Sequence, residues 1–239
     1  MQLDRLLQSQ GFGSRKACRQ LIEAGDVSIN GEPRCDPQAE FNPAGLTFEI
    51  DGEIWTYAEY VYLAMHKPAN FECTRQPQHH RSVYTLLPEP LIRRGVQSVG
   101  RLDADTTGLL LFSDDGRFIH AMASPKRHIV KHYRVTLKHA LDETLPKKLL
   151  AGVLLADETE SLSALSAQPL DSHTLMLSID QGKYHQVKRM IAAAGNRVEA
   201  LHRAGFGALS LGDGLLPALA PGDCCYLNET HLALLGYRR

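Results

Sequence analysis

An aspartate lies between two strand-compatible segments in the stretch GRLDADTTGLLLFSDDG, residues 100–116. Asp103 precedes an apolar run, residues 109–112, that predicts a buried strand. A carboxylate at that point would be partly withdrawn from water, which requires a cation or hydrogen-bond donors as compensation. Arg101 is close by, and Lys188 and Arg189 follow much later in QVKRM. Two interpretations stay open: Asp103 is a solvated turn residue, or it is a reactive carboxylate.

Nearby acidic residues predict no second catalytic carboxylate. Asp105, Asp114 and Asp115 are predicted to be turn and cap residues, a common use of short acidic side chains. A glycosidase needs a second acid whose pKa is raised by its surroundings, and the sequence supplies none. His185 and Gln186 are weaker candidates that could form hydrogen bonds in the floor of a site.

Basic residues are concentrated in two stretches, although the formal net charge is only −1. Residues 5–19 contain no acid, and residues 117–139 hold six Lys or Arg and four His, also without an acid. The basic residues of the first stretch are Arg5, Arg15, Lys16 and Arg19. Because local fields decide whether phosphate is attracted, this distribution is compatible with a nucleic-acid partner. A solvated charged face would give the same pattern.

Residues 1–58 predict a small α/β domain. Leucines at helical spacing open the chain, and Ser14 is a candidate N-cap for a second helix that ends at Gly25. That helix is predicted to bury Ala17, Leu21 and Ile22 and to expose Arg15, Lys16 and Arg19. Two hairpin turns are predicted at Asn30-Gly31 and Asp51-Gly52.

Residues 59–239 predict a second, larger domain of the α+β class. Strands are predicted at 61–65, 108–113, 131–137, 173–180 and near 207–211, and helices at 116–123, 143–151 and 184–194. Because strands and helices do not alternate regularly, a mixed, mainly antiparallel sheet is favoured over a doubly wound one.

The five cysteines contain no C-x-x-C pair, which argues against a disulfide framework and against a zinc site. No apolar run is long enough for a membrane span, and the first residues lack the apolar stretch of a signal peptide. We therefore expect a cytoplasmic protein without a metal or a membrane contact.

The N-terminal pattern resembles the S4 RNA-binding domain. L-D-R-x-L is followed by S-R-K and then by L-I-x-x-G-x-V-x-I-N-G. In that family the second helix supplies basic contacts to folded RNA, so the resemblance implies such a role for Arg5, Arg15, Lys16 and Arg19.

The rest of the chain resembles pseudouridine synthases of the Rsu/Rlu type. G-R-L-D-x-D-T-T-G-L-L-L is joined, in family order, by HKPANFECT, KHYRVTL and GKYHQVKRMIAAAGNRVEALHR. The form Y-H-Q-V-K-R-M is closest to the RsuA branch, which implies uridine 516 of 16S small-subunit rRNA as the substrate. The reaction is an isomerisation, so the resemblance implies no cofactor and no metal.

The resemblance also implies roles for individual residues. Asp103 matches the family's nucleophile, and Lys188 matches the position whose Lys or Arg pairs with that carboxylate. Tyr133 matches the aromatic residue that stacks on the flipped base, and Arg101 matches the arginine that assists base flipping. Because Tyr133 begins a predicted strand, its residue type alone would favour packing.

The same resemblance implies a path for RNA and a set of partners. The acid-free segment supplies Lys126, Arg127 and Lys131, and Arg189 lies beside Lys188. The expected partner is 16S rRNA or a small-subunit assembly intermediate, bound by a monomer. Three alternatives stay open: a 23S rRNA synthase of the same family, a non-catalytic S4-type assembly factor, and a hydrolase that uses Asp103.

One position departs from the family pattern. The family has N-K-P-x-G where this chain has His66-Lys67-Pro68-Ala69-Asn70. Asn tolerates positive φ better than other non-glycine residues, so we expect the turn to survive.

Overall fold

In the computed structural model, which describes residues 1–238, the chain begins with two helices, α1 (Leu3–Ser9) and α2 (Arg15–Ala24). Ser14 caps α2, since its side chain accepts a hydrogen bond from the backbone N of Ala17 at 3.2 Å. Gly25 ends the helix with a φ of 81°. The predicted cap and stop are therefore confirmed. Cys18, rather than the predicted Ala17, is fully buried on the inner face.

A four-stranded antiparallel sheet follows in the order β2-β1-β3-β4. Its strands are β1 (Val27–Ile29), β2 (Glu32–Pro33), β3 (Thr47–Ile50) and β4 (Glu53–Thr56). The turns Asn30-Gly31 and Asp51-Gly52 have positive φ at both residues, as a two-residue type I′ hairpin turn requires. Both predicted hairpins are confirmed.

These elements and two later segments form the first of two compact units, which comprises Met1–Val61, Leu87–Gln97 and Ser113–Asp115. The second segment contains α3 (Glu89–Arg93). Arg94 donates to Gln10 Oε1 at 2.7 Å and to the backbone oxygen of Ala58 at 2.9 Å, and it pairs with Asp114 at 2.7 Å. Asp114 lies in a bend, in keeping with the predicted turn or cap role, and its carboxylate also pairs with Arg94. The domain boundary after residue 58 stays a prediction.

The second unit comprises Tyr62–Leu86, Ser98–Phe112 and the chain from Gly116 onwards. Its strands begin with β5 (Tyr62–Lys67), β6 (Phe71–Glu72), β7 (Arg81–Ser82), β8 (Gln97–Ser98) and β9 (Thr107–Ser113). They continue with β10 (Lys131–Leu137), β11 (Ser166–Pro169), β12 (Thr174–Ile179), β13 (Val198–Phe206), β14 (Leu209–Ser210) and β15 (Cys224–Tyr226). A nine-stranded sheet has the order β11-β12-β10-β13-β9-β5-β15 along its main path, and β14 pairs with β13 and β8 with β9.

The sheet is mixed and mainly antiparallel, as predicted, and β13 pairs with β9 in parallel. Its helices are α4 (Gly116–Ala123), α5 (Thr144–Ala151), α6 (Gln186–Ala193) and α7 (Glu229–Leu234). The first three lie where helices were predicted. The strand predicted near 207–211 is confirmed over Leu209–Ser210 as β14, and Gly207, with a φ of 58°, turns the chain between β13 and β14. None of the helices within residues 1–238 is long and apolar enough to cross a membrane.

Candidate active site

The loop that carries Asp103 is anchored from below by a buried lysine. Lys67, at the end of β5, has no exposed surface, and its Nζ donates to the backbone oxygens of Pro68, Ala104 and Thr106 at 3.0, 3.1 and 2.8 Å. Burial lowers the pKa of Lys67. The backbone N of Asn70 donates to the same Ala104 oxygen at 2.8 Å. Asn70 has a φ of 63°, so the turn keeps a left-handed residue without the family glycine.

Helix α6 brings two donors to the carboxylate of Asp103. Lys188 Nζ lies 3.0 Å from Asp103 Oδ2, and His185 Nε2 lies 3.2 Å from Asp103 Oδ1. The Asp103 side chain is 26% exposed, so solvent reaches it on one side only. The apolar stripe of α6, which includes Val187 and Met190, is buried and fixes the helix against the sheet. Residues that lie far apart in sequence are thereby joined at one carboxylate.

Asp105 shares the same ammonium. Lys188 Nζ lies 2.7 and 2.9 Å from its two carboxylate oxygens. Partial burial alone would lower the pKa of Lys188, but its hydrogen bonds to Asp105 and Asp103 raise it. Burial alone would raise the pKa of Asp105, but its hydrogen bond with Lys188 lowers it. Asp105 lies in a turn, as predicted, and it also binds Lys188, so two carboxylates compete for one cation.

Tyr133 and Asp103 line one pocket of about 550 Å³, together with Lys188 and His185. Tyr133 lies in β10, is 8% exposed and is paired across the sheet with Arg203 of β13. Arg101 also lines the pocket and is exposed to solvent. The pocket therefore combines a partly shielded carboxylate, an aromatic ring and several cations, a set suited to a nucleoside with a sugar carbon to be attacked.

The basic residues of the second unit differ in whether they already contact acceptors within the protein. Lys126 and Arg127 are exposed. Lys131 donates to the backbone oxygen of Asp180 at 3.0 Å, and burial lowers its pKa. Arg189 forms an ion pair with Asp157 and donates to the backbone oxygen of Tyr184. An RNA phosphate would have to compete with Asp157 for Arg189.

The basic residues of the first unit are also partly occupied. Arg15 and Arg19 each place Nε 2.8 Å from Oδ2 of Asp4, a carboxylate with no exposed surface. Their side chains are 39% and 42% exposed, whereas Arg5 and Lys16 are fully on the surface. The helix face is therefore basic, but one buried acid offsets part of its charge.

Within residues 1–238 no group of three or more His, Cys, Asp or Glu side chains is placed to hold a metal ion.

Comparison with known proteins identifies the chain. The RNA pseudouridylate synthase family matches residues 61–193, and the S4 domain matches residues 1–43. The chain is 36% identical over 98% of its length to a protein of Bacillus subtilis (strain 168) named an uncharacterized RNA pseudouridine synthase, of which it covers 98%. The chain belongs to the pseudouridine synthase family.

Two further relatives place it within this family. The chain is 36% identical to the ribosomal small subunit pseudouridine synthase A of Vibrio parahaemolyticus, over 96% of this chain and 97% of that protein. A solved structure titled a pseudouridylate synthase matches with a TM-score of 0.68 and 32% identity, over 98% of this chain and 99% of that one. The resemblance to the Rsu/Rlu type is thus confirmed, with an N-terminal S4 domain and a mixed-sheet synthase fold.

For this pseudouridine synthase, sequence reasoning missed three charged groups at the site, of which Arg203 lines the pocket and Asp105 and Lys67 lie beside it. Asp105 was visible as the second acid of D-A-D, and its spacing from Asp103 was a usable signal. Lys67 stood in the H-K-P motif, but no pattern indicated that its ammonium is fully buried. Arg203 ends the matched segment ALHR, and it was not predicted because the strand that holds it was not predicted.

Proposed function

We propose that this chain isomerises a uridine of small-subunit rRNA to pseudouridine, with Asp103 as the nucleophile. The observation that carries the proposal is the Asp103 carboxylate held between Lys188 and His185, in the pocket that Tyr133 lines. Family membership supports the reaction, and the relatives named small-subunit enzymes support the substrate.

In the proposed reaction the uridine leaves its stack and enters the pocket, where Tyr133 stacks on the base. Extrusion costs a few kcal/mol, which contacts to the base and phosphates offset. Asp103 attacks or shields C1′ as the C1′–N1 bond breaks and the sugar gains oxocarbenium character. Lys188 pairs with the carboxylate and orients it. The base then rotates, C5 bonds to C1′, C5 loses its proton with help from Tyr133, and N1 gains one.

In this proposal the basic residues bind the RNA substrate. Arg101 assists base flipping, and Lys126, Arg127, Lys131 and Arg189 contact phosphates along the path. Residues 1–58 act as the S4-like domain, in which Arg5, Arg15, Lys16 and Arg19 hold folded rRNA. The partner is 16S rRNA or a small-subunit assembly intermediate, the enzyme acts as a monomer, and the target is uridine 516.

Release of tritium from C5-labelled uridine in a 16S transcript or assembly intermediate tests the reaction. We expect release by the wild type and none by Asp103→Asn. The matched control is Asp213→Asn, an exposed aspartate of the same unit, which should retain wild-type release. Equal release by the wild type and Asp103→Asn, or none by either, would refute the proposal. Free uracil and an abasic RNA would indicate a hydrolase instead.

Pseudouridine mapping in rRNA from a strain that lacks this gene tests the substrate. We expect one 16S position, uridine 516, to lose its modification and to regain it when the gene is restored. Loss at a 23S position with 16S unchanged would indicate a large-subunit synthase of the same family.

A further inference from the structure

Arg203 is a buried cation in the wall of the pocket, and the proposed reaction gives it no part so far. It lies in β13, between β10 and β9, and only 4% of the residue is exposed. It lines the same pocket as Asp103 and Tyr133. Because arginine stays charged in proteins, the pocket carries a fixed positive charge at this depth.

The guanidinium of Arg203 has a donor to spare. Nε donates to the backbone oxygen of Leu109 at 2.7 Å, and the guanidinium carbon lies 5.4 Å from the centre of the Phe206 ring. In the part of the chain that the structure describes, the buried Nη2 has no hydrogen-bond partner. Buried donors are nearly always satisfied in native proteins, so an unpaired one in a side chain that lines a pocket points to a ligand acceptor.

The sheet register places Arg203 beside Tyr133. Arg203 and Tyr133 are directly opposed in the antiparallel pairing of β13 with β10. Opposed residues project from the same face with Cβ atoms about 5 Å apart. A uracil stacked on Tyr133 would therefore turn its polar edge towards Arg203, and that edge carries the O2 and O4 acceptors.

We infer that Arg203 is a further catalytic residue, whose guanidinium donates a hydrogen bond to a carbonyl oxygen of the extruded uracil and stabilises the charge that forms there. The inference rests on the proposed function. When C1′–N1 breaks, its electron pair stays on N1 and spreads onto O2 and O4, while Asp103 takes C1′. After rotation C5 displaces the carboxylate and loses its proton, and N1 gains one, so the charge on the base disappears again. A fixed donor aimed at transient charge acts most strongly in a pocket with little water.

A phosphate group fits this donor less well. The exposed cations Lys126 and Arg127 can reach phosphates without entering the pocket, whereas Arg203 lies in the sheet beneath. The base is the part of a flipped nucleotide that goes deepest, so its carbonyl oxygens are the acceptors that Arg203 meets.

Single-turnover tritium release with saturating enzyme tests the inference. Arg203→Gln should lower the rate by about 10²–10³-fold, the usual loss when one donor to a developing anion is removed. RNA affinity should stay within about threefold, because the donor acts on charge that is absent from the ground state. The same change at Arg197, an exposed residue just before β13, is the control and should leave the rate unchanged.

A substrate change separates charge stabilisation from general damage to the pocket. Fluorine at C5 makes uracil a better leaving group. The rate loss caused by Arg203→Gln should therefore be at least tenfold smaller on RNA with 5-fluorouridine at the target than on RNA with uridine. The readout is the loss of 5-fluorouridine from nuclease digests. If Arg203→Gln does not fold, Arg203→Lys, which keeps the charge, is measured on the same two substrates and should show the same preference.

The two proposals fail differently. A wild type that releases no tritium overturns the proposed function itself. An active wild type with Arg203 variants within threefold of it, or with equal losses on both substrates, overturns only the role of Arg203.

Discussion

Replacing Lys67 with Met tests whether a buried ammonium holds the loop that carries Asp103. Lys67 Nζ joins the end of β5 to backbone oxygens on both sides of that loop, those of Ala104 and Thr106, and to that of Pro68. Met has a similar length and shape but no donor. The substitution therefore removes three hydrogen bonds and keeps the apolar packing of the side chain.

The size of the effect follows from which acceptors lose a partner. The oxygen of Ala104 keeps its hydrogen bond from Asn70, so the oxygens of Pro68 and Thr106 bear the loss. A buried acceptor left without a donor costs about 1–3 kcal/mol, which applies to the Thr106 oxygen, whereas the part-buried Pro68 oxygen loses less. Relief from burying the ammonium, the same burial that lowers the pKa of Lys67, offsets part of this cost. We expect a net loss of about 2 kcal/mol, or a melting temperature lower by about 4–8 °C for a chain of this size.

Expressed as free energy, the loss of catalytic rate should exceed the loss of stability. A shift of about 1 Å in Asp103 costs about 100-fold in rate, because attack on C1′ requires close alignment. Thermal unfolding and single-turnover tritium release measure the two effects, and Lys147→Met, at an exposed lysine of α5, is the control. A lower melting temperature with a rate within threefold of the wild type would refute the positioning argument. An unchanged melting temperature would refute the hydrogen-bond accounting.

Two further predictions concern pH and RNA affinity. Burial, with added repulsion from His66 and Arg134, lowers the pKa of His202 below its ordinary 6.5. The unfolded chain then binds this proton more readily, so the free energy of unfolding should fall as the pH drops below about 6.5 and through the lowered pKa. His202→Gln should flatten this fall in urea unfolding at about pH 7, 6 and 5, and parallel curves would contradict it. Asp157→Asn should free Arg189 and tighten rRNA binding by up to about fivefold, with a salt dependence steeper by about one ion; weaker binding measured across a salt series would contradict it.

Local signals in the sequence predict the first unit well. Ser14 and Gly25 mark the ends of α2, and Asn30-Gly31 fixes one hairpin, because each residue acts through its own backbone geometry. The role of Asp4, by contrast, depends on tertiary contacts and not on its neighbours in the sequence. Its carboxylate is buried by tertiary packing and then neutralised by Arg15 and Arg19, which the helix pattern alone assigns to the surface.

In the second unit, β13 likewise depends on tertiary contacts rather than on local sequence signals. Its sequence, VEALHRAGF, lacks the apolar alternation of a strand, since charged and polar residues interrupt it. The strand is nevertheless central, because it pairs with β10 on one side and with β9 on the other. Gly108 permits that second pairing, since a Cβ there would lie 2.2 Å from the backbone oxygen of Arg203. Pairing with neighbours, rather than the residues of β13 itself, makes it a strand.

The site contains residues that sequence motifs indicate and residues whose burial is decided by packing alone. Asp103, Tyr133 and Lys188 stand in recognisable motifs, and the structure places all three in one pocket. Lys67 and Arg203 carry charges that are normally exposed, and their burial is a property of the assembled sheet. Lys67 donates to backbone oxygens of the Asp103 loop and Arg203 to that of Leu109 in β9, and no residue pattern encodes the positions of these oxygens. Burying these two charges costs folding free energy. The proposed roles explain this cost, since Lys67 fixes the Asp103 loop and Arg203 donates a hydrogen bond to the base.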